Sequence, residues 1–250
     1  MSQKLAGKVA LVTGASKGIG ASIANHMAEE GAAVVVNYST SKEGADRVVH
    51  EISSKGGTAI AVQANVSQQA EIVSLFAEAK KAFGRLDILV NNAGIYEFAP
   101  LDAVTDENFY KQFDLNVLGL LLASREAAKY IGPEGGSIVN ISSIVSTLNP
   151  AKASVYSATK AAVDSITQSL AKELGPRKIR VNAINPGMVQ TEGWYAAGFV
   201  ENGMAKQVEA QTPLGRLGLP EDIAPAAVFF ASSDASWITG ETLLIAGGNR

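Results

Sequence analysis

Cysteine is absent from the 250 residues, and only two histidines, His26 and His50, are present. Without cysteine the chain has no disulfides and no thiolate metal ligands. The two histidines lie far apart in helix-like segments and form no ligand cluster. We therefore expect no metal site and interpret both as ordinary helix residues.

The sequence also lacks a large excess of charge of one sign and long apolar runs. The formal net charge is −3 with no long basic segment, which argues against a nucleic-acid partner or an anionic membrane surface. The longest apolar run, near 117–123, is far too short to span a bilayer, and the first residues have no signal-peptide form. The expectation is a soluble, cytoplasmic protein with small-molecule partners.

Apolar residues, by contrast, make up 47% of the chain and charged residues 18%, which provides for a substantial core. Short runs rich in Val and Ile alternate with longer amphipathic stretches. The runs are nearly continuous, which is typical of strands covered on both faces. We predict seven strands, near 8–13, 32–37, 58–63, 86–91, 137–142, 179–184 and 243–247, and helices near 18–30, 41–55, 68–83, 106–130, 155–174 and 221–231.

This alternation predicts a single α/β domain over 1–250, with a parallel sheet and helices on both of its faces. Residues 188–217 depart from the pattern, because they separate the sixth strand from the last helix without a strand of their own. Long excursions in a compact domain are often functional. We interpret this one as a substrate lid, since it carries the apolar side chains Trp194, Tyr195, Phe199 and Met204.

A glycine-rich turn, 12–20, follows the first strand and opens the first helix. Gly14, Gly18 and Gly20 would let the backbone turn tightly and approach a pyrophosphate at the helix N-terminus. Their spacing is G-x-x-x-G-x-G, which differs from the commoner G-x-G-x-x-G dinucleotide motif. The position directly after the first strand favours a nucleotide site.

Tyr156 and Lys160 lie four residues apart in a predicted helix, so they share one face. The spacing alone allows either an acid/base pair or a solvated polar stripe. Tyrosine ionises about three pH units above neutrality, which is about 4 kcal/mol. One cation about 4 Å away supplies about the same energy at an effective dielectric near 20. Lys160 is therefore strong enough to tune Tyr156 for proton exchange.

Five motifs, in this order along the chain, resemble those of the classical short-chain dehydrogenase/reductase family. They are TGASKGIG at 13–20, NNAG at 91–94, Asn116 in LNVLG, YSATK at 156–160 with Ser143 thirteen residues before the tyrosine, and NPG at 185–187. The resemblance covers essentially the whole chain. It implies a Rossmann fold and hydride transfer between a nicotinamide cofactor and a carbonyl or alcohol.

The resemblance also implies a role for each candidate catalytic residue. Tyr156 is the general acid in reduction and the base in oxidation. Lys160 also binds the nicotinamide ribose, Ser143 orients the substrate oxygen, and Asn116 holds a water in a proton relay. The implied cofactor contacts are Gly14, Ser16, Lys17, Gly18, Ile19, Gly20, Asn37, Tyr38, Ser39, Asn65, Val66, Asn92, Ala93, Gly94, Tyr156, Lys160, Pro186, Gly187, Val189 and Thr191.

NADP(H) is the expected cofactor, with NAD(H) as the alternative. NAD-specific members of such folds place an acid after the second strand to bind the ribose 2′-hydroxyl. Asn37 stands in that place here, and Lys17 in the glycine turn adds a cation on the adenosine side. Asn65–Val66 replaces the usual Asp-Val adenine contact, so an adenine hydrogen bond would have to use the amide.

The substrate stays open at this level. The chain looks most like the 3-oxoacyl-(acyl-carrier-protein) reductase, glucose dehydrogenase and carbonyl reductase branches. Lys129 is the main cation available for an acidic carrier protein, which makes that electrostatic case thin. A cofactor-sensing binding protein would usually lose Tyr156 or Lys160. A methyltransferase using S-adenosylmethionine would need an acid after the second strand and no Y-x-x-x-K.

Family resemblance further implies a homotetramer in which the helices near 106–130 and 155–174 pair between subunits. The second helix carries an apolar arc, Val163, Ile166, Leu170 and Leu174. The arc fits either a subunit contact or burial against the protein's own sheet.

Overall fold

A computed structural model describes residues 3–193 and 203–250. In these residues seven strands form one parallel sheet in the order β3-β2-β1-β4-β5-β6-β7. The strands are β1 (Val9–Val12), β2 (Ala33–Tyr38), β3 (Thr58–Gln63), β4 (Ile88–Asn91), β5 (Gly136–Ile141), β6 (Ile179–Pro186) and β7 (Thr242–Ile245). The predicted single-domain Rossmann fold is confirmed.

Helices connect the strands and cover both faces of the sheet. They are α1 (Gly18–Glu29), α2 (Lys42–Ser54), α3 (Gln69–Phe83), α4 (Asp106–Phe113), α5 (Leu120–Tyr130), α6 (Val145–Leu148), α7 (Ser154–Leu174), α8 (Met204–Gln211) and α9 (Pro220–Ala231). Capping fixes some of their ends. The Thr105 hydroxyl accepts the Asn108 N–H to start α4, and left-handed Gly84 ends α3.

Alternate residues of each central strand face opposite layers, which explains the continuous apolar runs. Val34 and Val36 pack into the core formed with α1, α2 and α9, whereas Val35 packs into the core with α3, α5 and the end of α7. Because both faces of the sheet are covered, the residues that point to either face are buried and apolar.

The predicted helix over 106–130 is not continuous. Residues Asp114–Gly119 form a π-helical turn between α4 and α5. A Cβ on Gly119 would clash with the Val66 carbonyl oxygen, at 2.5 Å, so the chain passes very close to the loop after β3 here. The interruption places Asn116 in the one wide turn of an otherwise regular helix, and such turns are frequent at functional sites.

The two ends of the predicted lid meet. Val189 forms an isolated parallel bridge with Gly218, and the Gly218 N–H donates to the Met188 carbonyl at 3.0 Å. The excursion between them is therefore a closed loop that leaves the sheet and returns to the same point. It contains α8, which we did not predict, and the expected lid residues Trp194, Tyr195 and Phe199 lie outside the described residues.

The apolar arc of α7 is divided between two environments. Val163 and Leu174 are buried, and Leu174 lies in the protein's own core, whereas Ile166 and Leu170 remain partly exposed. Burial against the sheet thus accounts for part of the arc. Among the helices of the described segments, none is long and apolar enough to cross a bilayer.

Candidate active site

The predicted site residues converge where four strands end. The glycine turn follows β1, residues 92–94 follow β4, Ser143 follows β5 and Gly187 follows β6. The strand order reverses between β1 and β4, and the crevice outside such a reversal is where open parallel sheets bind ligands. The fold alone therefore brings together motifs that lie far apart in the chain.

The glycine turn has the shape that a pyrophosphate site requires. Gly14 has φ of 61°, in the left-handed region, and a Cβ there would lie 2.9 Å from the Ala93 Cα. Lys17 is the N-cap of α1, and its side chain makes no capping bond. Backbone N–H groups at the start of α1 are thus left for an anion, which the helix dipole also favours.

Side chains of β1 and the NNAG motif hold this turn in place. The Thr13 hydroxyl accepts the N–H groups of Asn92 and Ala93, each at 3.0 Å, and donates to the Val90 carbonyl at 3.3 Å. The Asn92 amide donates to the carbonyls of Thr13 and Gly14, at 2.9 and 3.1 Å. Asn92 and Ala93 therefore support the glycine turn from the neighbouring strand.

Asn37 is placed differently from our expectation of a ribose contact. Its side chain is buried, with the Oδ1 accepting the Gly14 N–H at 3.1 Å. Its Nδ2 donates to the carbonyls of Val62 and Ala64, at 3.3 and 3.0 Å. Both amide protons are thereby used within the protein, so Asn37 ties the glycine turn to β3. Its physical role is structural support.

The surface beyond β2 carries the residues that are available to contact the adenosine part of the cofactor. Ser39 and Lys17 are exposed there, while Tyr38 is buried. Residues 37–41 contain no carboxylate. The Asn65 Oδ1 accepts the Ser67 N–H and hydroxyl, at 3.0 and 2.9 Å, so only its amide nitrogen is left for an adenine. The neighbouring Val66 is buried.

Tyr156, Ser143 and Lys160 come together at the start of α7. The Ser143 side chain lies near the Tyr156 hydroxyl and acts to lower its pKa. Lys160 is buried, and its Nζ donates to the Ile141 carbonyl at 2.9 Å and lies 5.8 Å from the centre of the Tyr156 ring. A Cβ on Gly94 would lie 3.7 Å from this Nζ, so the glycine leaves room for a group beside the ammonium. The pair is not a solvated stripe.

Burial dominates the proton affinities of the pair. Desolvation raises the pKa of Tyr156 to about 12, although the Ser143 side chain acts in the lowering direction. Desolvation also lowers the pKa of Lys160 to about 8, against the raising effect of Asp164. In the protein without cofactor, burial therefore outweighs the attraction that the sequence argument assigned to Lys160. The estimate considered attraction at about 4 Å and omitted the cost of burying both groups.

Asn116 is buried in the π-helical turn, and its side chain is bonded to the protein. Its Oδ1 accepts the Ile95 N–H at 2.9 Å, and its Nδ2 donates to the Ile95 carbonyl at 2.8 Å and to Thr159 Oγ1 at 3.1 Å. These bonds use both amide protons. The side chain thus joins the loop after β4 to α7, and the relay water expected at Asn116 stays a prediction.

The residues after β6 complete the wall of the crevice. The Pro186 carbonyl accepts the Ile144 N–H at 2.9 Å, and a Cβ on Gly187 would lie 2.8 Å from the Ala246 Cβ. Thr191 lies over the start of α1, and its Cγ2 would be 3.2 Å from a Cβ placed on Gly18. Of the remaining predicted contacts, Val189 and Ser16 are buried, Ile19 is partly exposed, and Gly20 packs against the Gly14 carbonyl.

Two aromatic residues beside Tyr156 were missed by the motif analysis. The rings of Tyr96 and Phe98 lie 6.0 and 6.1 Å from the Tyr156 ring, and 6.0 Å from each other. Their exposed fractions are 38% and 48%, which is high for large apolar side chains beside a candidate catalytic group. The only signal in the sequence is the IYEF stretch directly after NNAG.

The residues fit a dinucleotide and offer no metal centre. Gly14 and Gly18, both with positive φ, form a cradle that side chains would fill, and the Lys160 ammonium and the α1 N-terminus supply complementary charge. Across the described ranges 3–193 and 203–250, no group of three or more His, Cys, Asp or Glu residues is placed to hold a metal ion.

Similarity to known proteins extends over nearly the whole chain. Residues 14–250 match a family model described as enoyl-(acyl carrier protein) reductase. An uncharacterized oxidoreductase of Methylorubrum extorquens is 56% identical over 247 residues, covering 99% of both chains. A probable tetrahydroxynaphthalene reductase of Zymoseptoria tritici is 40% identical, covering 98% of this chain and 95% of the relative.

A solved structure of similar sequence shows the same fold. A short chain dehydrogenase from Burkholderia cenocepacia, in complex with NADP, is 39% identical. Its chain superimposes with a TM-score of 0.92 over 98% of each chain.

Proposed function

This chain belongs to the classical short-chain dehydrogenase/reductase family of NAD(P)-dependent oxidoreductases, and we propose that it reduces a ketone or aldehyde reversibly to an alcohol with NADPH. In this proposal Tyr156 is the general acid and base. The observation that carries it is the arrangement of Tyr156, with Ser143 near its hydroxyl and the buried Lys160 ammonium held 5.8 Å from its ring by the Ile141 carbonyl.

A bound nicotinamide would supply the hydride to the carbonyl carbon. Ser143 orients the substrate oxygen, and Tyr156 donates its proton as that oxygen becomes an alkoxide. An alkoxide is a much stronger base than a phenolate. Proton transfer from a phenol with a pKa of about 12 is therefore downhill. The Lys160 ammonium stabilises the phenolate, which regains its proton from water.

The raised pKa of Tyr156 keeps the phenol protonated near neutrality, which is the form that reduction requires. Oxidation of an alcohol would need the phenolate, which burial disfavours. We therefore expect the alcohol-oxidising activity to grow as the pH is raised, as long as Lys160 keeps its charge.

Two observations support NADPH over NADH. The exposed surface after β2 has no carboxylate among residues 37–41, and the exposed Lys17 lies at the start of α1. A 2′-phosphate would be attracted by this lysine and would meet no acid there. The Burkholderia relative binds NADP, which agrees with this assignment.

A cyclic aromatic ketone is the substrate class favoured by the walls of the site. Tyr96 and Phe98 present partly exposed rings that form a three-membered cluster with the Tyr156 ring. A planar conjugated substrate would stack or pack edge-on against such rings. The naphthalene-type substrate in the name of the Zymoseptoria relative points to the same chemistry.

A 3-oxoacyl-(acyl-carrier-protein) and a sugar such as glucose are the alternative substrates. The carrier-protein case stays thin, because the Lys129 ammonium binds the buried Glu126 carboxylate at 2.7 Å and is not free to meet an acidic partner. A cofactor-sensing role without catalysis is the alternative outside enzymes. It is disfavoured because Tyr156, Lys160 and Ser143 are all present and lie close together.

A substrate panel tests the proposal. The panel contains an aromatic ketone, its cyclohexyl analogue, a simple diketone, a 3-oxoacyl thioester, an α,β-unsaturated thioester and, in the oxidising direction, glucose. We expect wild-type protein to consume NADPH with at least one ketone and Tyr156→Phe to lose at least about 1,000-fold in kcat. Unchanged turnover in Tyr156→Phe removes this residue from the reaction. An aromatic ketone no better than its cyclohexyl analogue removes the substrate class alone.

A further inference from the structure

Asp164 continues the line of polar side chains that begins with Tyr156 and Lys160, one helical turn further along α7. Neither the motif resemblance nor the proposed reaction uses it. It is partly exposed, whereas Lys160 beside it is buried. The carboxylate is thus the nearest acid on this face of the helix to an ammonium that has been removed from water.

The Asp164 carboxylate is also bonded across to β6. The Asn185 Nδ2 lies 3.2 and 3.0 Å from its two oxygens, 3.1 Å from the Ser146 Oγ and 3.4 Å from the Ser143 carbonyl. Asn185 is buried at the end of β6. One amide therefore connects α7 with the turn that carries Ser143.

The orientation of Asn185 reveals what the carboxylate does. Its Oδ1 is buried without a hydrogen-bond partner among the residues that the structure describes. Exchanging the two amide atoms would turn that oxygen towards the Asp164 carboxylate. Two acceptors would then face each other without a donor and repel. The carboxylate determines which way the amide points.

We propose that Asp164 is a positioning residue of the active site, which keeps the buried Lys160 ammonium charged and, through Asn185, fixes the turn that carries Ser143. The proposal rests on the proposed function for its consequences in catalysis, but its geometry does not depend on the substrate.

The surroundings of Lys160 leave this role to Asp164. Among the described residues, the titratable groups beside the ammonium are Tyr156 on α7, which is neutral when protonated, and Asp164. Tyr96, on the loop after β4, lies beside the Tyr156 ring. The other elements around it present neutral groups. β5 contributes the Ile141 carbonyl, and the π-helical turn contributes the Asn116 amide.

The direction of the electrostatic effect follows from the pKa of Lys160. Burial lowers this pKa to about 8, and Asp164 acts in the raising direction. A group whose pKa is about 8 is charged below that pH and loses its charge as the pH rises through it. Removing the carboxylate charge moves this loss to lower pH, so less ammonium remains at neutral and alkaline pH to assist Tyr156.

The test compares Asp164→Asn, which removes the charge at constant size, with Asp164→Glu, which keeps it. In ketone reduction with NADPH, we expect the alkaline limb of the kcat/KM profile of Asp164→Asn to move down by about one pH unit. The activity at pH about 9 then falls by about tenfold relative to wild type. Asp164→Glu should keep the wild-type profile.

A second readout does not need turnover. The ¹³Cε signal of Lys160 in lysine-labelled protein, assigned by its loss in Lys160→Arg, reports the titration midpoint directly. We expect the midpoint to fall in Asp164→Asn and to stay in place in Asp164→Glu. A midpoint that does not move in Asp164→Asn overturns the proposal, whether or not any ketone is reduced.

Asn185→Ala separates the effect of Asp164 on the charge of Lys160 from its effect on the position of Ser143. It also tests the proposal if Asp164→Asn does not fold. It removes the connection to the Ser143 turn but leaves the carboxylate charge. We expect kcat to fall by about tenfold at every pH, with the alkaline limb and the Lys160 midpoint unchanged. Wild-type kcat in this variant overturns the positioning of Ser143.

Discussion

At the scale of single residues, the polar motif residues fall into two groups. Tyr156, Ser143 and Lys160 retain groups that can meet a ligand, whereas Asn37, Asn92 and Asn116 spend their amide protons on backbone carbonyls or on Thr159. The hydrogen bonds of the second group therefore join parts of the site to each other, and their contacts with a ligand stay predictions. Backbone carbonyls at the ends of parallel strands have no next residue of the sheet to bond, and asparagine amides satisfy them.

We predict that Lys17 is responsible for the preference for NADPH over NADH. Replacing it with Ala removes one exposed cation, which interacts with a 2′-phosphate by about 1 kcal/mol. We expect kcat/KM with NADPH to fall by about fivefold to tenfold and kcat/KM with NADH to change by less than about twofold. Steady-state kinetics with both cofactors measure this. An equal loss with both would show that Lys17 does not contact the phosphate.

Motif analysis identified the residues but could not separate contact from support. Asn37 and Asn65 occupy familiar places in the sequence, yet only the strand register shows that the Asn37 amide lies against Val62 and Ala64. The pKa of Tyr156 also could not be predicted from the sequence, because it depends on how deeply the hydroxyl is buried. Tyr96 and Phe98 belong to no motif, and only the fold brings their rings to Tyr156.

At the scale of elements, the end of β2 joins the glycine turn to β3 through one buried amide. Asn37→Asp keeps the acceptor for the Gly14 N–H but places a carboxylate against the carbonyls of Val62 and Ala64. We expect this variant to lose about 3 kcal/mol of unfolding free energy, because it buries a charge without donors. Urea unfolding of the protein measures the change.

Ser39→Asp is the matched control, since it adds the same acid two residues later at an exposed position. We expect its unfolding free energy to stay within about 0.5 kcal/mol of wild type while its affinity for NADPH falls. If Asn37→Asp were as stable as wild type and simply preferred NADH, the buried role of Asn37 would be refuted.

The elements themselves were well predicted where apolar patterns were continuous. All seven strands were placed within two residues at each end, because burial on both faces leaves nearly unbroken Val and Ile runs. The π-helical turn at Asp114–Gly119 and the helix α8 were missed. A π-turn changes the bonding pattern without changing the amphipathic period enough to be read, and α8 is only two turns long.

At the scale of the whole molecule, a homotetramer is the assembly that we propose from the family resemblance. Exposed apolar side chains lie along α4 to α5, where subunits are expected to pair, among them Tyr110, Leu118 and Leu121. The structure buries Val163 and Leu174 of α7 internally, so the subunit contact would use the remaining part of that helix.

Leu121→Glu tests this contact against Val73→Glu, which places the same charge on the exposed face of α3. We expect wild type and Val73→Glu to be tetramers in size-exclusion chromatography with light scattering. Leu121→Glu should give dimers or monomers, because a charge is costly to bury in a subunit interface. A monomeric wild type, or a tetrameric Leu121→Glu, would contradict the proposed assembly.

The central claim is that Tyr156 donates the proton while a hydride moves from the nicotinamide to the carbonyl carbon. It is tested most directly with NADPH that carries deuterium at the transferred position and the best ketone of the panel. Mass spectrometry of the product should show one deuterium on the alcohol carbon for wild type. Tyr156→Phe should yield almost no alcohol while still binding NADPH. Alcohol without the label, or labelled alcohol formed at the wild-type rate by Tyr156→Phe, would contradict the claim.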